Sequence, residues 1–223
     1  MSVELLPPAA IDAQIAAAIA RGAVVAMSLS GGKDSTAAAH QANAVLDAAG
    51  HPRDRRIAVH ADLGRAEWQQ TPATVAVIAD RLGLPLHIVR HSRHDMVSRW
   101  QDRFERGLAR YAALETLCLI GPWSSPSLRF CTSKMKAAVI TRFLRATYPG
   151  EEIVSVIGIR RDGSFGRRLA AVSATDTRLA DAHGTRGLLW HPLVDWQTGA
   201  VFALLPAPAY RCTTPIPCSA RPG

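Results

Sequence analysis

No apolar run in the 223 residues approaches the roughly 20 needed to cross a bilayer, so a membrane-spanning role is excluded on the sequence. There is no internal repeat, which excludes a solenoid or propeller. The first basic residue is Arg21, after an early Glu4, so MSVELLPPAAIDAQ lacks the charge pattern of a signal peptide and the expected compartment is the cytoplasm. Acidic residues are the minority, 18 against 26 lysines and arginines, giving a formal charge of +8 and a pI near 10.0. That balance suits polyanions, nucleotides first and nucleic acid as a further partner, although a coding bias toward arginine would produce it too. Lysine is the scarcest cation, present only at Lys33, Lys134 and Lys136. Where arginine fills almost every cationic position, a retained lysine suggests a need for a compact point charge.

Short apolar runs alternate with amphipathic stretches. Ile11, Ile15 and Ile19 predict a helix over 9–21, and AVVAMSL a strand over 23–29. Helices over 35–49, 67–82, 95–117 and 133–147 and strands over 56–62, 86–91 and 152–159 follow, with a last short strand within 188–196. This alternation predicts parallel β-α-β units in one α/β domain over 1–210 and a short divergent tail over 211–223.

Between the first strand and its helix lies SLSGGKDS (28–35). A glycine pair there lets the backbone turn tightly and aim N–H groups at an anion, with the helix N-terminus adding partial positive charge. Ser28, Ser30, Gly31, Gly32, Lys33, Asp34 and Ser35 are therefore candidate ligands of a phosphate. The spacing is neither G-x-x-x-x-G-K-[ST] nor G-x-G-x-x-G. A capped turn would account for one or two of these residues but not for all of them.

SGGKDS resembles the PP-loop of the adenine nucleotide α-hydrolase-like superfamily. VHADLGRAEW (59–68), SPSLRFCTSKMK (125–136), IGIRRDGSFGR (157–167) and HPLVDWQTGAVFALL (191–205) resemble, in order, further segments of its phosphoadenosine phosphosulfate (PAPS) reductase and DNA-phosphorothioation branch. The resemblance implies a three-layer α/β/α HUP-type parallel sheet flanked by helices. It implies ATP or PAPS as the nucleotide, with Mg²⁺ on the phosphates, and nucleotidyl or sulfur transfer to an acceptor that the sequence does not name. Carried over residue by residue, it places Asp62 and Gly64 beside the adenosine, and Lys136, Arg160 and Arg167 at a second anionic subsite. Lys33, Ser35, Cys131, Lys136 and Arg160 become the candidate catalytic residues.

The chain departs from the family pattern in three places. Gly163 stands where the family has a glutamate, the C-terminal E-C-G-[IL]-H nucleophile is absent, and the tail diverges after PAYR. The intact SGGKDS resembles members that use ATP. The rival reading is a nucleotide- or nucleic-acid-binding protein of the same fold without catalysis.

In the phosphorothioation branch the cysteine matching Cys131 contributes to an iron–sulfur cluster. Cys212 and Cys218 could join it, with Cys118 as a fourth ligand, although Cys118 in ALETLCLI reads as a core residue. Their C-x5-C spacing is no recognised cluster pattern, so unligated thiols are the favoured reading. Basic neighbours and a following helix favour a thiolate at Cys131. His60 reads as packed or hydrogen-bonded near the pocket, and His87, His91 and His94 as no metal site. Trp68, Trp123, Trp190 and Trp196 read as core or pocket wall, and Arg99, Arg103, Arg106 and Arg110 as a helical face open to solvent.

Overall fold

The computed structural model describes residues 6–121 and 131–205, with the backbone alone at Cys131. Its centre is a six-stranded sheet: β1 (Val24–Ser28), β2 (Arg56–Asp62), β3 (Leu86–Arg90), β4 (Glu152–Val156), β5 (Ser173–Thr175) and β6 (Arg186–Trp190), in the order β3-β2-β1-β4-β6-β5. All neighbours pair in parallel except β5, which runs antiparallel on β6. The fold is thus the expected α/β type, with one antiparallel edge strand that the sequence pattern did not show.

Strand side chains alternate between two buried layers, which is why the central strands read as continuous apolar runs. Val25 and Met27 face a layer built from α1 (Ala13–Ala20), α2 (Lys33–Ala48), α3 (Thr71–Arg81) and α6 (Thr198–Leu204). Val24 and Ala26 face the other way, with Ile57, Val59 and Leu144 of α5 (Ala138–Thr147). The sixth long helix, α4 (Met96–Ala112), buries only Met96 completely.

Several boundaries moved for physical reasons. Ile11 is exposed and outside α1, because Asp12 caps that helix by accepting from the Ile15 N–H at 3.0 Å. The chain after α4 turns away through Leu114 in the left-handed region and stays on the surface, so Cys118 is exposed and not core. Trp190 and Trp196 are core as expected, whereas Trp68 is exposed, and Trp123 lies outside the described residues. The α4 arginines divide, Arg106 and Arg110 in solvent and Arg99 and Arg103 half-buried. Among the described residues, no helix is long and apolar enough to cross a membrane.

The order of strands places the candidate site. From β1 the chain adds β2 and β3 on one side, then crosses to put β4 on the other side of β1. Connections leave the sheet in opposite directions at that point, opening a crevice beyond the carboxyl ends of β1 and β4, where open α/β sheets bind ligands.

Candidate functional site

A cavity of about 440 Å³ occupies that crevice. Its floor is the turn from β1 into α2. Gly31 has φ +71° and its missing Cβ would stand 3.1 Å from Thr71 Cγ2, so glycine suits both the conformation and the packing. Gly32 caps α2 without a side-chain hydrogen bond. Ser28, Ser30 and Ser35 line the cavity, and the hydroxyls of Ser30 and Ser35 also hold the turn together. Ser35 Oγ donates to the Gly32 carbonyl at 2.9 Å and accepts from the Ser30 N–H at 3.1 Å, and Thr36 Oγ1 also donates to Gly32. The result is a rigid turn whose helix end presents backbone N–H groups, a setting that favours anions.

The other walls come from distant segments. Lys136 projects from a π-helical turn, Cys131–Ala137, that leads into α5, and Arg167 from the irregular stretch after β4. Lys33, Lys136 and Arg167 thus line one cavity. Neither Lys136 nor Arg167 has a carboxylate partner among the described residues. Lys33 Nζ lies 3.5 Å from Asp34 and 5.9 Å from the centre of the Phe202 ring.

Arg160 does not line the cavity. It is buried behind the turn, where its Nε donates to Asp34 at 2.9 Å and its Nη1 to Asp162 at 2.9 Å. Asp162 in turn accepts from the Thr198 hydroxyl at 3.0 Å, and that bond first, then Arg160, holds its carboxyl below the ordinary value. Arg160 therefore fastens the first turn of α2 to the start of α6. Asp34 lines the cavity, but its carboxylate is turned toward Arg160 and Lys33.

Asp62 and Gly64 also sit outside the lining. Asp62 accepts from the Gly64 N–H at 2.6 Å and pairs with Arg90; burial opposes its ionisation, yet the Gly64 and Arg90 bonds together keep its pKa low. Gly64 packs against Asp95, whose Cβ would be 2.5 Å from a Cβ on Gly64. His60 is buried on the cavity wall between the Leu29 carbonyl (2.8 Å) and Glu67 (3.1 Å).

The brace next to Gly64 gives a pH prediction. Asp95 caps α4 by accepting from the Ser98 N–H at 2.7 Å and receives Arg65 Nε at 2.5 Å. Arg65 first, then Ser98, hold its carboxyl well below the usual carboxylate range against burial. A depressed folded-state pKa contributes stability that is present above the unfolded value, about pH 4, and lost as pH falls through the folded one. Asp95→Asn keeps the cap but not the charge. Its melting temperature is expected to fall less than wild type between neutral and strongly acidic pH; parallel curves would show that Asp95 contributes no such dependence.

Two residues at the cavity escaped the sequence reading. Asp176 is buried and holds Arg178 in a two-pronged pair, Nε–Oδ1 2.7 Å and Nη2–Oδ2 2.8 Å. The only signal is the D-x-R spacing in SATDTRL. Gly158, just past β4, was read only as part of a motif. A Cβ there would lie 2.4 Å from the Asp34 carbonyl oxygen and 2.7 Å from the Ser35 nitrogen, so the start of α2 rests directly on it. Cys131 begins the π-helical turn, and its side chain, like Cys212 and Cys218, lies outside the described residues. Among those residues no three metal-ligating side chains cluster.

The sequence matches a family model, the phosphoadenosine phosphosulfate reductase domain, over residues 24–210. The chain belongs to the PAPS reductase family. The match runs from the first residue of β1 to just beyond α6 and takes in every wall of the cavity. No curated protein matches this PAPS reductase-family chain. Among solved structures, Candida glabrata FMN adenylyltransferase in complex with FMN and the ATP analog AMPCPP is similar at 14% identity and a TM-score of 0.43. That alignment covers 82% of this chain and 48% of the other, about half its length, and at this level it says nothing of the chemistry here.

Proposed function

We propose that this chain binds an adenine nucleotide, ATP or PAPS, in the crevice and catalyses nucleotidyl or sulfur transfer from it. The observation that carries this reading is the cation set. Lys136 and Arg167, without carboxylate partners among the described residues, face the same cavity as Lys33 and the N-terminus of α2. Three partly exposed cations around one cavity raise a positive potential there that attracts an anion. A volume of about 440 Å³ lies in the range of small-molecule sites.

With ATP, an acceptor oxygen or sulfur attacks the α-phosphorus, the bond to the bridging oxygen breaks, pyrophosphate leaves and the acceptor's proton passes to solvent. Lys33 and the amides of Gly31 and Gly32 would meet the leaving charge, a stabilisation that grows in the transition state. Ser30 and Ser35 hold that turn in place, and Arg160 acts through Asp34 as a positioning residue. Mg²⁺ would travel on the phosphates, because Asp34, the carboxylate beside Lys33, is already committed to Arg160 and Lys33. With PAPS, the same turn would hold the phosphosulfate end, and Cys131 is the thiol the sequence offers.

A second reading, nucleotide binding without turnover, draws on Gly163. No carboxylate stands there, and the Arg167 guanidinium lies 3.2 Å from where a Cβ would be. Calorimetry with ATP and with PAPS, followed by pyrophosphate release from ATP across candidate acceptors, tests both. Saturable binding with acceptor-dependent release is expected. Binding without release under any acceptor, and without sulfur transfer from PAPS, would leave the binder; absence of binding would sink both.

A further inference from the structure

A second cavity, of about 480 Å³, adjoins the first and is used by nothing described above. One wall is a face of α5. Ala138, Thr141, Arg142 and Arg145 recur at three- and four-residue spacing, which puts them on one side of the helix, and the alanine leaves the concavity open. The opposite wall is the turn between β5 and β6, carrying Arg178 and His183. Thr141 and Arg178 belong to both cavities, so the two are continuous around these side chains.

The groove is cationic by construction. Arg142 has no carboxylate partner among the described residues, and Arg145 reaches Asp181 only at 3.7 Å. Asp181 is the one carboxylate on this wall, and it is already used. Its Oδ1 accepts from the N–H groups of His183 and Thr185 at 2.9 and 3.1 Å, and its Oδ2 from the Thr185 hydroxyl at 2.8 Å. These bonds orient it to shape the turn, and its single charge is set against Arg145, which leaves Arg142 without an offset among the described residues. The positive field continues past the rim: burial first, then His94, Arg142, Arg99 and Arg93, hold His91 below the ordinary imidazole value.

We propose that this groove is the acceptor subsite, and that it takes an acceptor bearing a phosphate group, held by Arg142 and Arg145 with the reacting end directed past Thr141 and Arg178 into the nucleotide cavity. The proposal rests on the nucleotide reading for its acceptor role, but the phosphate site itself does not. Planar guanidinium groups on one helix face match phosphate oxygens in two-pronged fashion, which makes arginine the fitting residue type.

The test titrates two probes, phenyl phosphate and a short 5′-phosphorylated single-stranded oligodeoxynucleotide, with a non-hydrolysable ATP analogue measured separately. At least one probe is expected to bind wild type. Arg142→Gln with Arg145→Gln should weaken it by about 10-fold or more, with affinity for the analogue unchanged within about twofold. Phenyl phosphate binding indicates a small phosphoester as acceptor. Binding of the oligonucleotide alone, with a salt slope that drops by roughly 1.4 in the double variant, indicates a strand. Arg142→Gln alone, which breaks no ion pair, repeats the test should the double variant fail to fold. Equal probe affinity in wild type and variants, or no binding of either probe, overturns the proposal. Failure of the analogue to bind wild type, with probe binding still lost in the variants, would sink the nucleotide reading and leave the groove a phosphate site.

Discussion

Lys33→Ala is expected to lower affinity for the adenine nucleotide by about 10-fold to 100-fold, since a charge-assisted phosphate contact contributes roughly 1.5–3 kcal/mol. The fold should be untouched. Lys33 is 38% exposed and gives up only a 3.5 Å pairing with Asp34 and a distant ring contact with Phe202. Exposed pairs of this kind contribute about 0–1 kcal/mol, so the melting temperature should hardly move. The Asp34 pairing also says what a phosphate must displace, and a weak, solvent-screened contact is easily displaced. Calorimetry on the purified variant reads the effect. Wild-type affinity in a normally folded Lys33→Ala protein would remove Lys33 from the binding site and, with it, the proposed role of the turn.

Gly158→Ala should do more damage with a smaller change. The added methyl would fall 2.4 Å from the Asp34 carbonyl oxygen, 2.5 Å from its carbon and 2.7 Å from the Ser35 nitrogen, all backbone atoms at the start of α2. No side chain can swing aside there, so the first turn of the helix must shift. Crowding of this kind costs about 1–3 kcal/mol of stability. The shift also displaces the N–H groups that face the cavity and strains the Arg160–Asp34 bond. Nucleotide affinity is expected to fall by about 10-fold or more, given the steep distance dependence of such contacts. Gly166→Ala is the control, because nothing lies within 4 Å of a Cβ at that position. If Gly158→Ala binds and melts like Gly166→Ala, the contact between β4 and α2 does not set the shape of the site.

The parts of this molecule that could be read from the chain were those carried by local pattern. The run VVAMS followed by SGGKDS showed a buried strand, a tight turn and a helix start, because the apolar run and the glycine pair act on neighbours. The strand β5, with only Ser173, Ala174 and Thr175, has no apolar alternation to betray it; it forms because β6 offers an edge. The helix α6 was hidden within a segment read only as a motif. Arg160 shows the limit most clearly. Its residue type and motif suggested a cleft cation, but its partner Asp34 is 126 positions away, and only the folded chain shows the arginine turned inward to brace the turn. Gly158 was illegible for the same reason, since its neighbour is backbone from a distant strand–helix junction. Asp62 and Gly64 were placed by resemblance, whereas the folded segment uses them to fasten its own turn to Arg90 and α4.

The π-helical turn over Cys131–Ala137 gives the site a place where chain length can change. Such a turn stores one residue beyond what an α-helix would need for the same advance. Deleting a single residue there would let the segment relax into ordinary helix and run smoothly into α5. Each residue of an α-helix turns about 100° around the axis and each residue of the wider turn less, so the residues ahead of the deletion would keep nearly the same side of the axis relative to Ala138. Thr132, which lines the nucleotide cavity, would stay on its wall although the segment had lost a residue. The same deletion within α5 has no stored residue to draw on and would turn the lining by about 100°.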